Sequence, residues 1–341
     1  RSERINTSEL DVKNYISTEN MLQKFQGISI ANSIPDNINV TSFKEGDILI
    51  SNIRPYLKKV WQSDRKGGCS ADVFVLKANN TICSDCFLHY LIANDTFINF
   101  VMSGAKGVKM PRGDKKQMVT YNMGIPHIKE QNKISRLLDL LNKRIVTQNK
   151  IIEDLKKLKV AIRDKAIALG IKKSVFKTLD SIADIYQPQT IPTSLLSEDA
   201  EYFVYGANGV IGKYTEYNHS EPQICIACRG NTCGAINFSI AKSWITGNAM
   251  VVNTDQYSVI NKRYLYHYLS TINFNPLISG SGQPQIVRQP LAKLKIPIPS
   301  TEQQVGIVKV IDSFELKIEI ENKYLQSLLT QKVCLLSNMF I

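Results

Sequence analysis

Two long stretches of the chain repeat apolar side chains at alternating steps of four and three residues. The first has no proline or glycine between residues 128 and 169, and its apolar positions are Ile134, Leu138, Leu141, Ile145, Ile152, Leu155, Ile162, Ala166 and Leu169. The second has Ile307, Ile311, Phe314, Ile318, Leu325, Leu328, Leu335 and Met339. An average spacing of about 3.5 residues is typical of a coiled-coil seam. The pattern therefore predicts two long helices.

These stretches belong to an internal repeat with an offset of 173 residues. Nine of the thirty positions in 131–160 are identical to those in 304–333. Upstream we match His89 with His267, and Ser103-Gly104 with Ser279-Gly280, allowing the spacing to drift. Fixed-period similarity of this kind indicates a duplicated structural unit. The chain is predicted to be a tandem duplication of a globular region followed by a long helix.

The two helices are predicted to pair antiparallel. In the register we expect, Lys159 faces Glu321 and Gln148 faces Lys332, because other registers bury these polar groups against apolar side chains. The expected seam comprises Leu141, Ile145, Gln148, Ile152, Leu155, Lys159, Ile162, Phe314, Ile318, Glu321, Leu325, Leu328, Lys332 and Leu335. The alternative is that each helix packs on its own globular half.

The globular halves, residues 1–126 and 174–298, have the composition of mixed α/β domains. Strands are expected at 47–51, 71–76, 223–227 and 248–252, and helices at 86–102 and 262–272. The predicted fold class is α/β (α+β): two globular domains in tandem repeat, separated by long helices at 127–173 and 299–341 that form an antiparallel coiled coil. Asn208-Gly209 predicts a tight hairpin in the second half.

The charge balance points to a polyanionic partner. The 341 residues include 42 Lys and Arg against 30 Asp and Glu, a net charge of +12. Residues 126–175 alone carry 13 basic and 5 acidic side chains. No apolar run reaches the roughly 18–20 residues that a membrane span requires, and no signal peptide opens the chain. Seven cysteines, an odd number, suit reduced thiols, so we expect a cytoplasmic protein.

Several loops place basic or amide side chains among glycines and aromatic residues. Such side chains bind guanine, adenine or phosphate. A solvated surface patch would explain any one of these loops, but their occurrence in both halves favours DNA binding. The candidate DNA-binding residues are Arg54, Lys58, Lys59, Lys106, Lys109, Arg112, Lys115, Lys116, Lys213, Arg229, Gln283, Gln285 and Arg288.

Catalytic signatures do not appear in the sequence. The segment 209–213 lacks the spacing of a phosphate-binding loop, and no glycine-rich dinucleotide motif follows a strand. His89 and His267 are expected to be packed structural histidines at matching helix positions. Two CxxC spacings, Cys83/Cys86 and Cys225/Cys228, are compatible with zinc binding. The two pairs lie in different halves, so we expect no metal site.

Several segments of the chain resemble those of a known protein family. Segments 47–56, 68–72 and 109–115 look like the first target-recognition domain of type I restriction–modification specificity (S) subunits. Segments 205–212 and 280–285 resemble the second such domain. Ile296-Pro-Ile-Pro299, followed by Glu302-Gln-Gln304 and the long helix, resembles the repeated helical region. The resemblance covers essentially the whole chain.

This resemblance implies a non-catalytic subunit that reads a split DNA target. Each recognition domain would read one half of the target in double-stranded DNA, and the helices would set the distance between the halves. Two methyltransferase (M) subunits, each binding S-adenosylmethionine, would dock on the S subunit and flip the target adenine. Two restriction/translocase (R) subunits can join. The S subunit itself needs no cofactor.

One feature departs from the family pattern, and one alternative function stays open. The segment 176–185 looks like the usual first strand and helix of a recognition domain, and the first half has no counterpart. We therefore expect the first domain to be incomplete at its beginning. The alternative function is a non-DNA coiled-coil adaptor joining two ligand-binding domains, which the modest basicity of 176–298 favours.

Overall fold

The computed structural model describes residues 3–172, 174–280 and 282–339. Its helices are α1 Asp85–Ile92, α2 Asp95–Ser103, α3 Lys115–Met118, α4 Ile128–Ile171, α5 Lys262–Leu269, α6 Arg288–Ala292 and α7 Thr301–Met339. Its strands are β1 Arg4–Asn6, β2 Tyr15–Ile16, β3 Asn39–Phe43, β4 Ile48–Ser51, β5 Val60–Gln62, β6 Gly67–Cys69, β7 Val73–Leu76, β8 Val175–Thr178, β9 Asp184–Tyr186, β10 Tyr202–Gly206, β11 Gly209–Tyr214, β12 Ile224–Ala227, β13 Ile236–Phe238, β14 Trp244–Ile245, β15 Ala249–Asn253 and β16 Lys295–Ile298.

The chain forms two compact units. Unit 1 contains the chain up to residue 150 and the chain from residue 323 onward, and unit 2 contains residues 151–322. Each unit therefore holds one globular part, the N-terminal half of one long helix and the C-terminal half of the other. The mixed α/β fold predicted from the sequence is confirmed.

Unit 1 is built on two sheets and a helical layer. One sheet has the order β1-β3-β6-β2, and the other has the order β5-β4-β7 with all strands antiparallel. Strand β4 is buried along its whole length because α1 and α2 cover one side of its sheet. The core on that side includes Phe87 and Phe97, and Leu138 of α4 packs into it.

Unit 2 repeats this plan with an additional ribbon. Its central sheet has the order β13-β12-β15-β9, and a second sheet has the order β11-β10-β14. Strand β12, like β4, is buried along its whole length. Strands β8 and β16 form the ribbon, in which Ile296 lies opposite Lys177. In unit 1, residues 122–125 correspond to β16 at the 173-residue offset, and they form no strand.

The structure corrects the prediction of a single helix at 86–102. The chain breaks after Ile92, and Asn94 caps α2 by accepting the backbone N–H of Thr96 at 3.0 Å. Asparagine at this position satisfies an N–H that the first turn of a helix leaves free. The hairpin predicted at Asn208-Gly209 is present, since Gly206 pairs with Gly209.

The two long helices run antiparallel, as contacts inside each unit show. In unit 1, Ile134 and Leu138 of α4 belong to the same core as Leu335 and Met339 of α7. In unit 2, Ile167 of α4 shares a core with the start of α7. Each helix therefore packs on its own globular part with its first half, and on the other globular part with its second half. Every residue of the expected seam is buried or half-buried.

The predicted register of the pair is wrong. The Lys159 ammonium lies 3.2 Å from the Glu315 carboxylate, while Glu321 pairs with Lys317 of its own helix at 2.6 Å. The partner of Lys159 is thus six residues nearer the N-terminus of α7 than expected. A contact outside the seam also involves this carboxylate: Arg263 of α5 binds Glu315 at 2.7 Å and so holds α7 against the globular part of unit 2.

The upstream correspondence between the halves also needs correction. Tyr90, not His89, is the counterpart of His267. The hydroxyl of Tyr90 donates to Asp139 at 2.5 Å, and His267 binds Asp312, the residue 173 positions later, at 2.9 Å. The helix caps agree, because the N–H groups of both cap residues donate to the equivalent side chains of Gln131 and Gln304. The alignment that matched the two histidines by their neighbouring residues was therefore shifted by one residue.

Candidate nucleic-acid interface

In unit 1, the two predicted basic loops come together at the end of strand β4. The backbone N–H of Arg54 donates to the carbonyl of Pro111 at 2.7 Å, and that of Gly113 donates to the carbonyl of Asn52 at 3.0 Å. Residues 106–112 form a small hairpin, because Lys106 and Arg112 exchange backbone hydrogen bonds of 3.0 and 2.9 Å. The loop after β4 and this hairpin therefore make one continuous surface.

Unit 2 contains the same hairpin at the same offset of 173 residues. Ser279 and Gln285 exchange backbone hydrogen bonds of 2.8 and 2.9 Å, and Gly230 donates to the carbonyl of Pro284 at 3.0 Å. Gln285 therefore occupies the position of Arg112. The offset of 173 continues without a gap from the long helix back to this hairpin, so the earlier match of Ser103-Gly104 with Ser279-Gly280 was wrong.

The first glycine of each hairpin explains its shape. Gly107 has φ of +97° and Gly280 has φ of +93°, values that side chains strongly disfavour. A Cβ at Gly280 would lie 2.5 Å from the carbonyl oxygen of Gln283, and one at Gly107 would lie 3.3 Å from that of Met110. Both hairpins thus need glycine at their first turn, and residues 108–110 of the first and 282–283 of the second are exposed.

Arg54 adopts a left-handed backbone conformation, and the equivalent position in unit 2 is a glycine. Its φ is +49°, and Gly230, which makes the equivalent bond, has φ of +80°. A left-handed conformation costs about 1–2 kcal/mol at a residue with a side chain. Strain of this kind is often retained where a side chain has a function. Lys58 of the same loop is also left-handed, with φ of +56°, but it pairs with Asp95. Arg54 is therefore the residue of this loop for which a ligand contact offers the clearest explanation.

Two buried polar atoms at this surface lack partners. They are Nε of Arg54 and Oδ1 of Asn52. Buried polar atoms are nearly always hydrogen-bonded in folded proteins, and exceptions call for a cause. One donor and one acceptor without partners therefore lie at the junction of loop and hairpin.

Acidic side chains orient part of the basic surface. Arg112 lies 3.3 Å from Asp72, and Lys106 lies 3.2 Å from Asp114. Arg112 keeps 57% of its side chain exposed, so its guanidinium has free donors. Asp72 was not predicted as a site residue, and only its position beside the end of β4 reveals its role.

Other predicted residues of unit 1 are held by the protein itself or fully exposed. Lys58 pairs with Asp95 at 2.7 Å, and Lys59 donates to the carbonyl of Thr18 at 2.6 Å. Burial, and then the nearby charge of Arg54, lower the pKa of Lys59. The remaining predicted residues of unit 1, Lys109 in the hairpin and Lys115 and Lys116 in α3, are exposed as well.

In unit 2, the structure brings four of the five predicted residues to the hairpin region. Arg229 pairs through its backbone with Gln285, and Gln283 lies in the hairpin itself. Arg288 follows directly, but its Nε donates to the carbonyl of Ile185 at 2.8 Å, which fixes it within the fold. Lys213 lies on β11, with its ammonium 5.6 Å from the centre of the Phe203 ring.

The described ranges contain no group of three His, Cys, Asp or Glu side chains placed to hold a metal ion. Cys225 and Cys228 belong to different core clusters, so they do not face one another. Burial raises the pKa of Cys225 to about 12, which keeps its thiol protonated. Within these ranges, no helix is both long and apolar enough to cross a lipid bilayer.

Comparison with known proteins identifies the family. The family model described as the type I restriction modification DNA specificity domain matches residues 3–157 and again residues 171–330. The chain belongs to this family. It carries two copies of the type I specificity domain, which confirms the resemblance and the tandem repeat. As a type I specificity subunit it is a non-catalytic component of a restriction–modification system, and the adaptor alternative is not favoured.

Individual relatives of the type I specificity family agree with this assignment. A putative type I restriction enzyme specificity subunit of Haemophilus influenzae is 31% identical over 142 residues, 40% of this chain and 36% of that protein. The MjaVIII specificity subunit of Methanocaldococcus jannaschii is 25% identical over 301 residues, 76% of this chain and 70% of that protein. The crystal structure of an S subunit from M. genitalium has a TM-score of 0.64 at 16% identity, covering 100% of this chain and 96% of that one.

Proposed function

We propose that this chain reads a two-part sequence in double-stranded DNA, one part with each unit, for a type I restriction–modification complex. The observation that carries the proposal is the hairpin repeated in both units, residues 106–112 and 279–285, at the end of an equivalent buried strand. Two equivalent reading surfaces with different side chains suit a target whose two halves differ.

The side chains at the equivalent hairpin positions favour different bases. Arginine makes two hydrogen bonds to guanine in the major groove, and glutamine makes two to adenine. Arg112 therefore reads guanine in one half-target, and Gln285 reads adenine in the other. Asp72 orients Arg112, while Lys106, Lys109, Lys115 and Lys116 neutralise phosphates and set the position on the duplex.

The long helices provide the docking surface for partner subunits. Apolar side chains remain exposed on both: Leu137, Leu140, Val146, Leu158 and Val160 on α4, and Val305, Val310, Leu316, Ile320 and Val333 on α7. Exposed apolar side chains concentrated on one element indicate a protein interface. We assign these positions to two M subunits, which carry S-adenosylmethionine and the chemistry. Two R subunits complete the restriction complex, and the assembly works in the cytoplasm with the chromosome.

The test is an exchange of the two reading side chains. Complexes of M subunits with Arg112→Gln or Gln285→Arg should methylate adenines in sites altered at one position of one half-target, as genome-wide methylation maps would show. Arg112→Ala should weaken binding to the specific duplex by about 1–3 kcal/mol. Lys116→Ala, the control, should weaken all duplexes alike and flatten the salt dependence. Methylated sequences that do not change in either exchange variant would refute the assignment of these two residues.

A further inference from the structure

A cavity of about 590 Å³ lies in unit 1, between residues 24–26, helix α1 and the paired halves of α4 and α7. Its wall combines apolar side chains, such as Ile145 and Leu329, with the polar side chains of His89 and Lys332. Sites for small molecules usually have volumes of about 300–1,000 Å³ and a mainly apolar lining with a few polar groups. The cavity therefore has the size of a small-molecule site, and its lining combines apolar with polar side chains.

The cation in this wall has no counter-charge. Lys332 is half-buried, and burial lowers its pKa. Among the residues described, none forms an ion pair or hydrogen bond with its ammonium group. A charge removed from water is normally paired, because its hydration is lost. Asp139, an acidic side chain near His89, accepts the hydroxyl of Tyr90 at 2.5 Å.

A second polar group of the cavity wall also lacks a partner. The Nδ1 atom of His89 is buried and has no hydrogen bond. Burial lowers the pKa of His89 to about 4, so its ring is neutral near pH 7. Lys24 and Phe25, at the edge of the cavity, both have left-handed backbones, with φ of +55° and +60°. The fold thus keeps a second lysine and an aromatic ring beside the cavity in a conformation that costs free energy.

Unit 2 shows what the lysine of unit 1 is missing. There Lys159 occupies the position equivalent to Lys332, and the carboxylate of Glu315 lies 3.2 Å from it. At the 173-residue offset, Glu315 corresponds to Asn142. Asn142 lines the cavity and donates its amide to the hydroxyl of Tyr90 at 2.9 Å. Unit 2 therefore supplies a carboxylate from its own chain, and unit 1 has an uncharged amide and a cavity in its place.

We infer that this cavity binds a small carboxylate with an apolar body. The carboxylate of the ligand takes the place that Glu315 has in unit 2, beside Lys332, and accepts a hydrogen bond from the neutral ring of His89. Its apolar body packs among Ile145, Leu325 and Leu329 of the two helices. The site is separate from the DNA-reading hairpins, so it does not rest on the proposed function.

The probe is sodium hexanoate, with hexanamide as its uncharged analogue, added to the full chain. Methyl resonances of Ile145 and Leu329 report binding. Hexanoate should shift both in a saturable manner, and hexanamide should bind at least tenfold more weakly. Lys332→Gln should reduce the affinity for hexanoate at least tenfold, while Lys156→Gln, an exposed lysine of α4, should leave it unchanged.

The variant Asn142→Glu provides an independent measurement. It gives unit 1 the carboxylate of unit 2, so hexanoate should no longer bind, and the pKa of Lys332 should rise without ligand. Both variants are expected to fold, because one removes the unpaired charge and the other pairs it. Equal affinity for hexanoate and hexanamide, or unchanged binding in Lys332→Gln, would overturn the inference. Such a result would not contradict the proposed DNA reading, because the cavity is separate from the hairpins.

Discussion

Acidification from pH 7 to pH 5 should destabilise unit 1 through His89. Burial, which dominates, and the charge of Lys332 lower the pKa of His89 to about 4, while Asp139 opposes the effect. The usual pKa of 6.5 applies in the unfolded chain. Between these two values the unfolded chain binds a proton that the folded chain does not. The stability from His89 is therefore fully present above about pH 6.5 and is lost as the pH falls towards 4.

The size of the effect follows from the two pKa values. Each pKa unit corresponds to about 1.4 kcal/mol, so a fall from 6.5 to about 4 corresponds to about 3 kcal/mol once the pH is below both values. At pH 5 the folded protein still keeps His89 mostly neutral. The loss there is about 2 kcal/mol, a large part of the stability of an ordinary domain.

The assay uses the fact that each unit has one tryptophan. In a Trp244→Phe background, Trp61 reports on unit 1 alone, since it packs edge-on against Phe43 at 5.9 Å. Urea unfolding gives the free energy of unfolding at pH 7 and at pH 5. The decrease between the two pH values should be about 2 kcal/mol greater in this parent than in its His89→Gln variant. A pKa near 6.5 for the His89 ring by NMR, or equal losses in parent and variant, would refute the reasoning.

Three further outcomes are expected. Arg54→Gly should change the free energy of unfolding by less than about 1 kcal/mol, because relief of left-handed strain offsets the added chain entropy, yet it should weaken DNA binding in a gel-shift titration. Leu138→Ala, at a side chain 1% exposed, should cost about 2–5 kcal/mol in urea unfolding. Burial raises the pKa of Asp312, but bonds from Arg263 and His267 outweigh it and lower that pKa. Unit 2 should therefore lose stability as the pH falls below about 4, and less so in Asp312→Asn.

The hydrophobic pattern was sufficient for the long helices and for the duplication. The spacing of apolar residues reports which side of a helix is buried, and this property is local in the sequence. The predicted helix at 128–169 therefore agrees closely with α4. Short strands buried on both sides, such as β4 and β12, were also recognisable, because their runs of aliphatic residues have few alternatives.

The register of the helix pair depended on contacts that no seam pattern contains. Arg263 comes from α5, about fifty positions before Glu315, and it binds the same carboxylate that pairs with Lys159. The same limitation produced the mismatch of His89 with His267. Identity of the neighbouring residues favoured an offset that is one residue too long. The hydrogen bonds to equivalent aspartates instead identify Tyr90 as the counterpart of His267.

The sequence by itself determined the family, the tandem repeat and the types of side chain available for DNA reading, because composition, period and motifs are written along the chain. Only the tertiary structure decided that the loop at Arg54 joins the hairpin at Arg112, and that Gln285 is its equivalent. Only the fold left Lys332 beside a cavity without the carboxylate that Lys159 has. These features arise from backbone hydrogen bonds and packing between segments distant in sequence, and a one-dimensional pattern does not encode such distances.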